Sequence, residues 1–243
     1  MNIQVIPTVS EARTEDLGHR IAIVVDVLRA TSTMLAALAA GAEAVIPAET
    51  VQQARQLQQR GYLLGGERSC RKIPGFDLGN SPLEYTAEAV RGRTVVMTTA
   101  NGTRAIQKAG KASRVLIGSL LNGRACAAKA ASFGEDIAIL CAGTQDVFAL
   151  EDGLCAGMLV DELIRLGGGR EDGIEMNDFG WSMLYAYRQA KERLSEALLS
   201  SANGRRLAKL GFRDDILYSA RTNVLELAPD MSGGQLSLAA AQI

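Results

Sequence analysis

The sequence predicts an α/β protein, a three-layer α/β/α sandwich built around a mostly parallel sheet. Short apolar runs typical of buried strands alternate along the chain with longer segments of helical spacing. Many of these runs end in polar residues, as strands do where they pass into loops at the edge of a sheet. Alternation of this kind places helices on both faces of a parallel sheet. A last strand near the end of the chain would make the sheet mixed.

The individual elements follow from these patterns and from helix caps and stop signals. Strands are predicted at residues 2–6, 21–25, 44–47, 62–64, 94–98, 114–117, 136–142 and 223–227. Helices are predicted at residues 34–40, 50–61, 82–91, 101–110, 122–133, 151–166, 177–200 and 204–210. Segments 21–58 and 94–128 share one order of strand, polar turn, short helix, strand and helix, which indicates an internal duplication within a single domain, 1–243.

Composition and charge restrict the functional classes. The chain has 243 residues, 47% of them apolar, which is enough to form a core. Its 26 basic and 27 acidic residues are balanced, so no field of one sign would hold it to nucleic acid or to an acidic membrane. The first residues lack the regions of a secretion signal, and no apolar run is long enough to cross a bilayer, so we expect a cytoplasmic protein. A homodimer is compatible with these features.

Cysteine and histidine chemistry is largely excluded. The cysteines at 70, 126, 141 and 155 form no C-x-x-C pair, which argues against a structural zinc site and a disulfide framework. Only Cys70 lies in a polar loop, where basic neighbours such as Arg71 would favour its thiolate, although an incidental thiol is the simpler interpretation. His19 is the sole histidine, so a histidine-based triad or a multi-histidine metal site is excluded.

The densest group of polar residues lies between 65 and 85, with the sequence GGERSCRKIPGFDLGNSPLEY. Glu67 and Arg68 follow paired glycines, at a position where the end of a strand would direct them into a cleft. Loops this long and this polar are usually functional. The start of the loop therefore predicts part of a binding site.

The end of the same loop has the pattern of a helix start. Ser81 is a good N-cap, Pro82 takes the first helical position and Glu84 follows three residues after the cap, which predicts a capping box. A helix start also attracts anions, and Asn80 lies just ahead of it. A purely structural cap is the simpler alternative at Ser81.

A second polar turn follows the predicted strand at residues 21–25. Asp26 ends that strand, and the side chains that could bind an anion after it are Arg29, Thr31, Ser32 and Thr33. An acid at a strand end followed by hydroxyls at a helix start is a common arrangement for a metal and phosphate site. Alternatively, Asp26 only caps the helix.

Two further strand ends carry polar residues. Those after the strand at 94–98 are Asn101, Gly102, Thr103 and Arg104, and those after the strand at 136–142 are Glu151 and Asp152. The two acids suit the start of a helix, which alone explains them. Their position beyond a buried strand makes metal binding an almost equal alternative.

Several catalytic schemes are absent from the sequence. It has no G-x-x-x-x-G-K-[ST] loop, no G-x-G-x-x-G turn, no G-x-S-x-G elbow and no C-x5-R loop. The segment that begins at Asp26 lacks the second aspartate of common aspartyl-phosphate enzymes. Carboxylates, hydroxyls, arginines and helix starts remain. This set suits a hard cation and a phosphorylated or sulfonated substrate.

Four segments together resemble the 2-phosphosulfolactate phosphatase family. They are DVLRATST at 26–33, GERSCRKIPGFDLGNSPLEY at 66–85, TTANGTRA at 98–105 and ALEDGLCAG at 149–157. They follow the family's order and extend over nearly the whole chain. The resemblance implies an α/β/α sandwich and a magnesium-dependent hydrolase. Its substrate would be (2R)-phospho-3-sulfolactate, and its product sulfolactate lies on the route to coenzyme M.

With this resemblance we predict direct attack by a metal-activated water. Asp26, Glu67 and Asp152 are the candidate Mg²⁺ ligands or water-orienting bases, with Glu151 in reserve. The candidate substrate-binding residues are Arg29, Thr31, Ser32, Thr33, Arg68, Asn80, Ser81, Asn101, Gly102, Thr103 and Arg104. The turn at 26–33 and the loop at 67–81 should face one cleft, because open α/β sheets bind ligands at the carboxyl ends of their strands.

Three alternatives accompany this interpretation. The protein could be a hydrolase or isomerase of another small phosphorylated acid. It could instead be an anion-binding module without activity, although carboxylates that face an anion require a cation between them. For the reaction itself, a covalent route through Cys70 is the alternative to direct attack by water.

Overall fold

A computed structural model describes residues 1–238 of the chain. Its strands are β1 (Asn2–Ile6), β2 (Ile21–Val25), β3 (Ala44–Pro47), β4 (Leu63–Arg68), β5 (Arg71–Lys72), β6 (Thr94–Thr98), β7 (Arg114–Gly118), β8 (Ile137–Cys141), β9 (Glu175–Met176), β10 (Asp230–Ser232) and β11 (Gln235–Ser237). Its helices are α1 (Thr14–Leu17), α2 (Ala30–Ala39), α3 (Val51–Leu57), α4 (Ala87–Val90), α5 (Gly102–Ala109), α6 (Gly123–Ser132), α7 (Leu150–Leu166), α8 (Asp178–Ala190), α9 (Leu194–Ser200), α10 (Ala202–Lys209) and α11 (Arg213–Ser219).

The strands form one sheet made of two parallel blocks and an antiparallel hairpin between them. The order of the strands is β5-β4-β6-β3-β11-β10-β7-β2-β8-β1-β9. Pairing is parallel within β4-β6-β3 and within β7-β2-β8-β1-β9. It is antiparallel from β3 through β11 and β10 to β7, so the two blocks run in opposite directions. The sheet is therefore mixed, as the last predicted strand suggested.

The twist of the sheet explains how these opposed blocks can share a site. Neighbouring strands rotate by roughly 20–25°, so the five steps from β6 to β2 accumulate on the order of 100–125°. A rotation of that size would bring the carboxyl end of β6 toward that of β2. The first residue of α5, Gly102, accordingly lies against Ala30 at the start of α2.

Helices cover both faces of the sheet, which confirms the predicted three-layer α/β/α fold. In β2, Ile21, Ile23 and Val25 pack with α6, α7 and the C-terminal helices on one face. Ala22 and Val24 pack with α2 and α5 on the other. The run IAIVV is thus buried on both faces, as its apolar character predicted.

The predicted internal duplication remains a prediction. Its first segment contains β2, α2, β3 and α3, and its second contains β6, α5, β7 and α6. The first strand of each segment pairs with the second strand of the other, β2 with β7 and β3 with β6. This reciprocal pairing is the arrangement that two related segments would adopt.

The predicted strand at 223–227 is wrong. In that segment Asn223 N–H donates to the carbonyl of Leu120 at 3.0 Å and Leu225 N–H to that of Leu121 at 2.9 Å, so the backbone is bound to a 3-10 turn. The last strands, β10 and β11, follow instead as a hairpin. Paired glycines at 233–234, both with positive φ, make its turn, and this glycine pair is the local signal of the hairpin.

The polar loop at 65–85 is more regular at its start than predicted, and the helix predicted at 82–91 is shorter. Residues 65–68 continue β4, where an added Cβ on Gly66 would lie 2.0 Å from the carbonyl oxygen of Thr98 in β6. The predicted helix at 82–91 is a 3-10 turn, Pro82–Glu84, followed by α4. Thr86 starts α4 as a second cap, since its hydroxyl accepts the N–H of Ala89 at 3.3 Å.

The predicted C-terminal helices are also divided differently. The segment 177–200 forms α8, a short 3-10 turn and α9, and α10 follows at the predicted place. The helix α11 was not predicted. Between residues 1 and 238, no helix combines the length and the apolar character that a membrane span requires.

Candidate active site

The loops that follow β2, β4, β6 and β8 surround one cavity of about 170 Å³, which we call the central cavity. Asp26, Arg29, Glu67, Arg68 and Asn80 are among the residues that line it. The turn at 26–33 and the loop at 67–81 therefore face one cleft, as the sequence predicted. Both segments follow carboxyl ends of strands, but the strands belong to the two opposed blocks.

Asp26 is buried in the wall of the central cavity with 7% of its surface exposed. Its Oδ1 accepts the N–H of Ala30 at 3.2 Å, and the hydroxyl of Thr31 closes the turn by bonding the backbone of Asp26. An added Cβ on Gly102 would lie 2.7 Å from Oδ2 of Asp26. Glycine at position 102 therefore allows the start of α5 to approach this carboxylate.

Glu67 is held rigidly by two backbone groups from different loops. Its Oε2 accepts the N–H of Cys70 at 2.7 Å, and its Oε1 accepts that of Ala100 at 2.9 Å. The first bond depends on a tight turn in which Ser69 and Cys70 have φ values of 55° and 67°. Glu67 thereby joins the turn after β4 to the loop after β6.

The adjacent acids at the start of α7 have different environments. Both carboxylate oxygens of Asp152 accept backbone N–H groups, from Val27 at 2.8 Å and from Gly143 at 3.1 Å. Glu151 is only 1% exposed, and neither of its oxygens accepts a hydrogen bond at ordinary distance within residues 1–238, although the side chains of Ser201 and Asn203 lie close enough to lower its pKa against the effect of burial. Asp152 thus ties two loops together, whereas Glu151 is the more available to a ligand.

Glu151 lines a second depression of about 530 Å³, which we call the side pocket. This pocket adjoins the central cavity, because Thr144, Gln145 and Asn203 line both. Glu151 is also close enough to Asp26 for its charge to affect that carboxyl. Its carboxylate therefore lies at the boundary between the two spaces.

Four carboxyl groups concentrate negative charge around the central cavity. Burial raises the pKa of Asp26 to about 7, against the N–H of Ala30, and the charges of Glu67 and Glu151 add to the rise. Burial likewise raises the pKa of Glu151, and it raises that of Asp152 well above its usual range, with the charge of Asp26 as the next cause. A bound cation would relieve this repulsion.

These carboxylates could hold a cation only together with ligands from outside the protein. Within the described residues, no three His, Cys, Asp or Glu side chains converge closely enough to hold a metal by themselves. Mg²⁺ usually keeps several waters and uses one or two carboxylates together with phosphate oxygens of the substrate. The two unpartnered oxygens of Glu151, with Asp26 nearby, are donors of that kind.

Arg29 is buried and held by the C-terminal helices. Its Nη1 lies 2.5 Å from Oδ2 of Asp215 in α11, its Nη2 donates to the carbonyl of Cys70 at 3.2 Å, and its guanidinium lies 4.2 Å from the ring centre of Phe212. The other oxygen of Asp215 accepts the hydroxyl of Ser81 at 2.7 Å. Asp215 thus joins the turn at 26–33 to the end of the loop at 67–81, the two segments that face each other across the central cavity.

The other two predicted arginines are also occupied by protein groups. Arg68 lines the central cavity, and its guanidinium donates to Thr98 Oγ1 at 3.0 Å and to the carbonyls of Glu67 at 2.7 Å and Glu49 at 3.1 Å. Arg104 pairs with Asp146 near the surface and lies outside the lining of the cavity. The structure therefore brings Arg29 and Arg68 to the site, but not Arg104.

The hydroxyls at 31–33 build the turn and do not line the central cavity. All three residues lie in the first turn of α2 and are fully buried. Ser32 donates to the carbonyl of Val27 at 2.8 Å, and Thr33 donates to that of Asn80 at 2.9 Å. Together with the bonds of Thr31 to Asp26, these contacts fix the strand end.

Ser81 is a cap, but the predicted capping box does not form. Its hydroxyl accepts the N–H of Leu83 at 3.3 Å, while Glu84 accepts the N–H of Gly79 at 2.7 Å and not that of Ser81. The turn that it opens has three residues, too few to give the dipole of a helix. Asn80 lines the cavity, and its buried Oδ1 has no partner among the described residues.

The start of α5 supplies backbone groups more than side chains. Asn101 lines the central cavity, and its Oδ1 accepts the N–H of Gln145 at 3.3 Å. The hydroxyl of Thr103 is buried and bonds to Thr99. Gly102 lies directly beside Asp26 and is not part of the cavity lining.

Sequence reasoning missed the contribution of the C-terminal helices. Asn203 and Arg206 of α10 line the central cavity, and Asp215 of α11 binds Arg29. The only local signal at Asp215 is a pair of acids, Asp214 and Asp215, which would mark the start of a helix. Nothing local indicates that α10 and α11 fold back over the sheet.

Comparison with known proteins gives a consistent result. The chain matches the family model described as 2-phosphosulpholactate phosphatase over residues 6–234. It is 44% identical over 228 residues, or 92% of this chain and 96% of the relative, to a protein of Symbiobacterium thermophilum named "Probable 2-phosphosulfolactate phosphatase". Proteins with the same name in Clostridium beijerinckii and Caldanaerobacter subterraneus are 34% and 36% identical, each over at least 96% of both chains.

An α/β/α sandwich with a cavity lined by acids and arginines at the ends of its strands is the architecture of an enzyme that acts on a small polar molecule. More particularly, the chain belongs to the 2-phosphosulpholactate phosphatase family and is a phosphoric monoester hydrolase.

Proposed function

We propose that the protein is a magnesium-dependent phosphatase that hydrolyses (2R)-phospho-3-sulfolactate to 3-sulfolactate and phosphate, a step toward coenzyme M. The observation that carries the magnesium requirement is the buried, unpartnered carboxylate of Glu151 near Asp26 and Glu67. Three acids beside a site for an anion need a cation between them. The substrate assignment rests on the names of the relatives and on the size of the cavity, about 170 Å³.

Glu151 and Asp26 would hold the hydrated cation together with the phosphate of the substrate, and Asp152 would keep the two loops around them in place. When bound, Mg²⁺ neutralises the phosphate and lowers the pKa of a coordinated water. Glu67, fixed by two N–H groups, is suited to orient the attacking water and to accept its proton. The water oxygen bonds to phosphorus as the bond from phosphorus to the ester oxygen breaks, and the proton given up by the water is returned through solvent to the oxygen of the released alcohol.

Direct attack by water is favoured over a covalent route through Cys70. This thiol lines the central cavity, and burial raises its pKa more than the nearby Arg206 lowers it. A thiol with a raised pKa is a poor nucleophile at neutral pH. We therefore expect Cys70→Ser to retain phosphatase activity, and a complete loss of turnover with normal folding would favour the covalent route.

The test of the proposed function is phosphate release from a panel of phosphorylated acids, with and without Mg²⁺. We expect EDTA-treated enzyme to be inactive and Mg²⁺ to restore it, with phosphosulfolactate as the best substrate of the panel. Full activity without metal contradicts the magnesium requirement. A better rate on another phosphorylated acid supports the alternative substrate, and binding without turnover supports an anion-binding module.

The remaining parts of this proposal concern the setting of the enzyme. We propose that it acts in the cytoplasm on small anionic molecules, without nucleic acid or membrane partners. A homodimer is testable by light scattering, and a monomer at micromolar concentration would exclude it.

A further inference from the structure

Three arginines line the central cavity, and only one of them is free. Arg29 is bound to Asp215 and to a carbonyl, and Arg68 donates to three protein oxygens. Arg206 of α10 makes no hydrogen bond or ion pair with any residue between 1 and 238, although the neighbouring Arg205 donates to the carbonyl of Ser200. Its guanidinium is therefore available to a ligand.

Arg206 lies at the rim of the site. Besides the central cavity, this exposed side chain lines the side pocket and a surface groove of about 690 Å³. The reacting phosphate must lie deeper, near the buried acids Asp26, Glu67 and Glu151. A substrate with its phosphate among those acids would present its other end to Arg206.

The groove outside Arg206 has a positive charge. Arg71, Arg205, Arg206 and Lys209 line it, and no acid does. None of these four cations forms an ion pair within the described part of the chain, although the protein as a whole has a formal net charge of only −1. Charges of one sign around a concave surface attract anions over about 10 Å at 0.1 M salt.

We infer that Arg206 binds the anionic group of the substrate that is not hydrolysed, a sulfonate or a carboxylate, and so determines the preference of the enzyme for multiply charged phosphate esters. The inference rests on the proposed function. A guanidinium offers two parallel N–H groups to two oxygens of such a group, which makes a strong and directional contact. Arg29 and Arg68 are less suited to this contact, because protein oxygens hold both terminal nitrogens of each guanidinium.

The experiment compares wild-type enzyme with Arg206→Gln on four esters. These are 2-phospho-3-sulfolactate, the analogue without its sulfonate, the analogue without its carboxylate, and isopropyl phosphate, which lacks both. We expect Arg206→Gln to lower kcat/KM for the full substrate roughly 10- to 100-fold, the loss that one charge-assisted hydrogen bond represents. Arg206→Gln should lower kcat/KM much less for the analogue that lacks the group bound by Arg206. This analogue therefore identifies the group.

Two further variants distinguish specific binding by the guanidinium of Arg206 from a general effect of positive charge in the groove. Arg206→Lys keeps the charge but not the fork, so its selectivity should fall between those of wild type and Arg206→Gln. Arg205→Gln is the matched control, since Arg205 is adjacent, exposed and lines only the outer groove. Its effect should be small and should disappear at high salt. An equal loss by Arg206→Gln on all four esters would overturn the inference.

Calorimetry tests the same inference independently of turnover. Arg206→Gln should weaken the binding of 3-sulfolactate about tenfold or more, with a much smaller effect on inorganic phosphate. Unchanged binding of sulfolactate would overturn the role of Arg206. By contrast, the absence of phosphate release from any ester by wild-type enzyme would refute the proposed phosphatase function and leave the binding result to decide on Arg206. Equal thermal midpoints would show that the variant is folded.

Discussion

Asp26 is buried beside other carboxylates, so its ionised form is unfavourable in the metal-free protein. Its pKa is about 7 in the folded state against an ordinary value of 3.8, so the folded protein holds a proton that the unfolded chain has released. This group therefore contributes stability below about pH 4 that is lost as the pH rises to about 7.

Asp26→Asn should remove this pH dependence. In EDTA, the stability of the variant relative to wild type should increase by about 2 to 3 kcal/mol between pH 5 and pH 8. Denaturant unfolding at the two pH values measures the difference. A relative stability that is the same at both would mean that Asp26 is ionised in the folded protein throughout this range.

The hydroxyl of Ser81 is buried and makes two contacts, with Asp215 and with the N–H of Leu83. Ser81→Ala removes both, and we expect a loss of about 1 to 2 kcal/mol in the free energy of unfolding. The control is Ser195→Ala, because Ser195 is exposed. Unchanged stability together with a collapse of substrate affinity would assign Ser81 to binding instead.

At the scale of elements, α11 supplies the partner of a buried charge, because Asp215 of α11 pairs with Arg29 in the loop after β2. The side chains of Arg29 and Asp215 are only 3% and 4% exposed. Removing one member of a buried pair leaves the other without a partner, which typically costs 3 to 5 kcal/mol, so we expect Asp215→Asn to lose about that much. Because Arg29 would then shift or bind water, kcat/KM should also fall. Thermal melts and kinetics measure both effects.

Asp214→Asn is the matched control for that change. Asp214 lies one residue earlier in the same helix and is exposed. We expect it to change the unfolding free energy by less than about 0.5 kcal/mol. Similar losses for the two variants would indicate that the charge of the helix start matters and the ion pair does not.

The elements that the sequence predicted well are those whose signal is local. The run IAIVV specifies β2 because it is short and continuously apolar, and the acids at 151–152 and the glycines at 167–169 mark the bounds of α7. The residues at the ends of these elements, Asp26 and Glu67 among them, were placed correctly in one cavity by the rule for strand ends.

The rest depends on contacts between distant parts of the chain. Whether Arg68 is free or bound is decided by carbonyls at 49 and 67 and a hydroxyl at 98, which no local pattern reveals. Likewise, Arg206 reaches the site only because α10 packs across the sheet. The split of the predicted helix at 82–91 reflects tertiary contacts, since Glu84 bonds to Gly79 and Ser81 to Asp215.

At the scale of the whole molecule, the site spans two blocks that a hairpin connects. Glu67 lies in β4, in the block β4-β6-β3. Asp26 directly follows β2 and Asp152 lies in the helix after β8, and both of these strands belong to the other block. In the hairpin, Leu236 pairs with Val45 on one side and Asp230 with Leu116 on the other. The arrangement of the site therefore depends on the hairpin.

Leu236→Ala should consequently destabilise the whole protein and not one block. Leu236 is fully buried between α2, α5 and the sheet, so the cavity left by the substitution should cost about 2 to 5 kcal/mol, whereas Leu238→Ala, at a residue 45% exposed, should cost little. If the chain is a single domain, as its sequence predicts, circular dichroism, the fluorescence of Trp181 on α8 and phosphatase activity should be lost in one transition in both variants. Separate transitions for fluorescence and for secondary structure in Leu236→Ala would show instead that the two blocks fold independently and that the hairpin only brings them together.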